Sequence, residues 1–292
     1  MTASARYTGL RSEFRPPDNE PPMQEMLANP AVQGGLAPFA AALIVAALLS
    51  PFRLGGLAVV AAFATAVYFI AGFTFSPLTA TRKIILLGFA APLAGIVIDF
   101  AFRPTRFEAL MLALAGAAAA AWIFWPILAQ KDFDRGLLLG GTAVLATAWT
   151  IGFSHSRLAE DGVRAGAAGL ALGAGTGAAA ILGASLTYGL YGFAVAAASG
   201  AFLLVQMIIG RKIHAGATFM LAATVVTMLL AAATMILAQL PWYAVLALAF
   251  VPVAASLPLR AGAPVWLQAV LLSFLGLVVA AIACALAWQA GG

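Results

Sequence analysis

IILLGFAAPLAGIVIDFAF, residues 84–102, is a nearly unbroken apolar run interrupted by one carboxylate, Asp99. A lipid-facing β-strand alternates apolar and polar residues over about ten positions, whereas a helix needs about twenty apolar residues to cross the ~30 Å hydrocarbon layer. The stretch predicts a membrane-spanning helix. An ionisable side chain among lipid tails is costly enough to be a functional candidate by default. Arg103 and Arg106 follow Asp99 at offsets that place all three on one face of a continuing helix. Two roles are open to Asp99: an ion pair with Arg103 or Arg106 while the arginines snorkel to the headgroups, or a proton- or cation-coupling site.

Composition extends this reading to the whole chain. Of 292 residues, 64% are hydrophobic and 9% charged, with a mean hydropathy of +1.04. Soluble domains carry about a quarter charged residues, so too few are present to clothe a water-facing surface. In lipid the backbone must satisfy its own hydrogen bonds, which leaves helix bundles or closed barrels. The expected fold is an all-α polytopic membrane bundle of about ten transmembrane helices, with apolar runs near 34–50, 56–75, 84–101, 109–129, 136–153, 166–183, 189–209, 216–239, 241–258 and 264–287. Proline or charge breaks most of them, as at Pro51 with Arg53, Arg103 with Pro104, and Lys131 to Arg135. The weakest cut lies between 166 and 209, where a re-entrant segment is the alternative to two full spans. Residues 1–30, polar and carrying Pro16, Pro17, Pro21 and Pro22, read as a flexible arm lacking the features of a cleaved signal peptide, and 31–292 as one transmembrane domain.

Charge placement sets the expected orientation. The net charge of +5 is dealt out in ones and twos between apolar runs, which points away from nucleic acid. With ten spans, the odd-numbered loops hold Arg53, Arg103, Arg106, Arg157, Arg164, Arg211, Lys212 and Arg260, against Arg82, Lys83, Lys131 and Arg135 in the even-numbered ones. The odd loops are therefore expected in the cytoplasm. Tyr188, Tyr191, Trp242, Tyr243 and Trp288 gather toward the opposite ends as interface aromatics. Alanine- and glycine-heavy composition points to a bacterial inner membrane. Pro51-x-Arg53-x-Gly55 and Pro258-x-Arg260-x-Gly262 share a core, the pattern of a weakly repeated unit of about four helices.

Small residues mark packing faces. Gly169, Gly173 and Gly177 recur every fourth residue, as do Gly192, Ala196 and Gly200, and such faces let membrane helices approach closely. The two spans are expected to form a tight hairpin. A weakly polar cavity is expected from Gln206, Thr227 and Thr234, together with Pro92 and Gly95, which would unwind the third span one to two turns before Asp99.

The search for chemistry excludes several classes. His155 and His214 fall in odd-numbered loops and read as solvated residues, and the single cysteine, Cys284, rules out an intramolecular disulfide and CxxC metal clusters. Neither a phosphate-cradling glycine loop, nor a paired acidic motif for magnesium, nor a Ser/His set inside a span is present. The expectation is no enzyme activity, no cofactor and no bound metal. Two functions remain: a permease for a small uncharged or amphiphilic solute, and a non-catalytic membrane subunit or assembly factor that meets a second copy or other membrane subunits. In length and span count the chain resembles the drug/metabolite transporter superfamily, which implies the permease. That family's early Trp-Gly signature is missing from the first span, and no residue roles carry over.

Overall fold

The computed structural model describes residues 29–101, 105–259 and 262–291. Residues 1–28 of the arm expected at 1–30, together with Arg103 and Arg260, lie outside them. Among the described residues the chain is helical with no strand, in ten apolar segments: α1 (Val32–Phe52), α2 (Leu57–Ile70), α3 (Ala80–Ala101), α4 (Arg106–Leu128), α5 (Phe133–Leu158), α6 (Gly162–Leu182), α7 (Leu186–Ile209), α8 (Gly216–Leu237), α9 (Trp242–Ala255) and α10 (Val265–Gly291). Eight are long and apolar enough to cross a membrane. The protein is a multi-pass helical membrane protein. The exceptions are α2 and α9, each 14 residues, or about 21 Å at 1.5 Å per residue. The apolar run at 56–75 overstates α2 because the helix closes at Ile70: Gly72, at φ +65°, donates its N–H back to Val67 in a left-handed C-cap. The segment from 166 to 209 is two full helices and contains no re-entrant loop.

The bundle is built around α8. Its sequence is apolar on every side, and every residue from Gly216 to Ile236 is buried. A helix without a polar face is stable only when surrounded. Its neighbours include α2, α3, α5, α6 and α7. Against α3 the seam is Gly88, Pro92, Gly95 and Asp99, a stripe at helical spacing. A Cβ on Gly95 would stand 2.5 Å from the Thr218 Cα, and one on Gly88 would meet Phe63 and Val226. Pro92 and Gly95 therefore form a contact surface inside an uninterrupted helix, not an unwound cavity wall.

Contacts between loops sort the helix ends. At one end Asp99 meets Thr218, Gly56 abuts Phe219, and Lys212 pairs with Asp161. At the other, Thr81 bonds Tyr188 across 2.8 Å, Lys83 lies over Trp122, and Gln239 donates to the Gly183 carbonyl. The odd-numbered connections thus share one end and the even-numbered ones the other. Tyr191 departs from the interface pattern: it is fully buried, edge-on to Phe63 at 5.5 Å, because the start of α7 is enclosed.

The α6–α7 hairpin is the most extensive helix contact. A Cβ on Gly173 would lie 2.4 Å from the Ala196 amide nitrogen, and one on Gly192 would lie 2.7 Å from the Gly177 Cα. Gly169 faces the Ser199 hydroxyl. Gly200 stands outside this contact, with nothing closer than Leu170 at 3.8 Å. Thermal unfolding in mild detergent should therefore separate two alanine substitutions: Gly173→Ala is expected to lose about 1–3 kcal/mol through overpacking, and Gly200→Ala to stay within about 0.5 kcal/mol of wild type. Equal losses would contradict this packing.

Candidate functional site

Where α3, α4, α5 and α8 meet, the apolar bundle becomes polar. Asp99 is half-buried, and its carboxylate accepts from the amides of Ala217 at 2.6 Å and Thr218 at 2.9 Å and from the Thr218 hydroxyl at 2.7 Å. It is the N-cap of α8, supplied by another helix. The first amides of any helix lack intrahelical partners, and α8 begins where the α3 packing excludes other acceptors. Gly216 is needed at the join: it adopts φ +70°, and a Cβ there would strike the carboxylate. Among the described residues Asp99 makes no ion pair, and Arg106 is exposed without one.

One turn outward, Glu108 completes a capping box with Thr105 at the start of α4, and its Oε1 lies 2.8 Å from Nε2 of His155. The distance is that of an ion pair, without hydrogen-bond geometry. His155 is not a solvated loop residue. Helix α5 runs on to Leu158 and buries both Ser154 and His155. Asp99, Glu108, His155, Glu160 and His214 all border a cavity of about 60 Å³. Among the described residues no group of three or more His, Cys, Asp or Glu is placed to hold a metal ion.

Neighbouring connections are tied to the same end. Asp161 caps α6 through the amides of Val163 and Arg164 and receives Lys212 Nζ at 2.6 Å. Gln206 is fully buried and accepts from the Ile213 amide. It pins the α7–α8 connection and lines no open cavity. Thr227 and Thr234 are likewise fully buried, their hydroxyls donating to the carbonyls of Ala223 and Leu230 four residues earlier. The cavity expected from these residues is not formed, because their polar atoms are consumed by backbone.

Helix α5 differs. Thr147, Thr150 and Ser154 are buried, share a face at offsets of three and four, and make no hydrogen bond among the described residues. With His155 they form a polar stripe descending from the junction into the bundle. Sequence alone offers no means to separate these hydroxyls from the back-bonded ones on α8. No protein-family model matches the chain, and no curated protein is significantly similar to it.

Removing the trans cap leaves two amides and a hydroxyl without an acceptor. Asp99→Ala is expected to destabilise the fold by about 1–3 kcal/mol and to speed amide exchange at Ala217 and Thr218 selectively. Asp99→Asn, which keeps one acceptor, should fall between. Unchanged exchange at both amides in Asp99→Ala would remove the capping role.

Proposed function

We propose that the chain is a permease for a small uncharged or amphiphilic solute in a bacterial inner membrane, with the odd-numbered connections in the cytoplasm and no catalytic role. The observation that carries this reading is the face of α5: buried Thr147, Thr150 and Ser154 without hydrogen-bond partners, leading to the Glu108–His155 pair. Unsatisfied polar groups cost about 1–3 kcal/mol each when buried; single ones also occur at Thr176 and Tyr191, and what sets α5 apart is three of them in a row along one face. Protonatable groups inside membrane bundles mark ion or substrate paths. The Glu108–His155 pair is therefore the proposed coupling site, in place of Asp99, whose oxygens are engaged by α8. The excess of lysine and arginine in odd-numbered connections supports the orientation.

A second reading, a non-catalytic membrane subunit or assembly factor, is favoured by the filled centre: α8 is enclosed along nearly its whole length. One experiment separates the two. The full chain is captured from mild detergent, then reconstituted in vesicles carrying a pH gradient and exposed to host metabolite extract. The permease reading expects recovery without stoichiometric partners and at least one compound that accumulates about tenfold or more over Glu108→Gln vesicles, a difference equivalent to about 1.4 kcal/mol. A stoichiometric partner with no accumulated compound favours the subunit.

A further inference from the structure

On the outer side of the same junction, the small residues through which α4 and α5 pack closely, Gly152 against Ala113, leave an open groove of about 930 Å³. Its floor is made of small residues, among them Ala109, Ala113, Ala148 and Gly152, and its walls of Leu110, Leu145, Trp149 and Phe153. The Trp149 and Phe153 rings stack at 5.3 Å. Arg106 and Arg157 close the groove at the end of the bundle where α4 begins and α5 finishes. From Leu145 to Arg157 it follows α5 for about 18 Å, close to the depth of one ~30 Å bilayer's half.

We propose that this groove is a binding site for one anionic phospholipid, a phosphodiester with an uncharged polyol head and acyl tails. Three observations meet here. The apolar length matches a single leaflet and opens sideways to lipid. Both arginines are exposed and make no ion pair among the described residues, so they are available to a phosphate. Arg106 is also the first residue of α4, where the helix end is already positive, so a cation there stabilises nothing in the helix and concentrates positive potential at headgroup depth. Guanidinium groups bind phosphate oxygens through paired N–H donors. A smaller polar cavity continues outward from the arginines past Ser156 to Glu160, with room for a hydroxylated head. The Glu160 carboxylate disfavours a second anionic group on that head.

The test is native mass spectrometry of the full chain titrated with phosphatidylglycerol, phosphatidylcholine and head-only glycerophosphoglycerol. Each arginine facing an anionic lipid is worth a factor of about five, so phosphatidylglycerol should bind about 25-fold more tightly than phosphatidylcholine. The double variant Arg106→Gln, Arg157→Gln should lose that preference, and the soluble head should bind at least tenfold more weakly than the lipid. Ala148→Phe fills the floor without touching charge and should weaken both lipids alike, which keeps the site testable should the double variant fail to fold. Retained preference in the double variant, head-only binding as tight as the lipid, or full binding by Ala148→Phe would each overturn the proposal.

Discussion

The start of α8 is the constraint on which the rest depends. A helix apolar on all sides must lie at the centre, and a helix at the centre has no water to satisfy its first amides. Side-chain caps normally come from the residue just before a helix. Here the preceding connection reaches α8 through Gly216, which has no side chain, and the acceptor comes from α3 instead. Gly95 and Asp99, four residues apart, act together: the glycine admits the α8 backbone and the aspartate bonds it. The carboxylate that sequence marks as costly is thus held by three donors.

The buried hydroxyls of α8 and α5 contrast, with single unpartnered hydroxyls also at Thr176 on α6 and Tyr191 on α7. On α8, the hydroxyls of Thr224, Thr227 and Thr234 return to carbonyls of their own helix, and that of Thr218 donates to Asp99. On α5, the hydroxyls of Thr147, Thr150 and Ser154 are buried without hydrogen-bond partners among the described residues, next to the His155–Glu108 contact. The first arrangement can be inert within a packed core, whereas the second holds polar capacity in reserve beside an acid and a base. The same α4–α5 pair carries small residues on its outer face and two exposed arginines that make no ion pair among the described residues. Inside and outside, these two helices carry most of the chemistry that the bundle offers.

Sequence made the architecture legible and the junction largely not. Continuous apolar runs located ten helices, because hydrocarbon leaves the backbone few options. The glycine spacing on α6 and α7 pointed to close approach, although Gly200 falls outside the contact that spacing alone would assign it. Asp99 was visible as an anomaly, but its donors lie 118 and 119 residues away. Arginines four and seven residues on were the only partners that helical spacing could suggest. His155 looked exposed because the apolar run stops near residue 153, while the helix continues and buries it. Burial there comes from packing against α4, which a local pattern does not record.

The distance along the chain between Asp99 and its donors also orders events during synthesis. At about 5–20 residues per second, α3 is made several seconds to some tens of seconds before α8. For that interval the carboxylate has none of its final donors, while four intervening helices are synthesised. Asp99 can therefore reach its donors on α8 only after α4, α5, α6 and α7 have all been made.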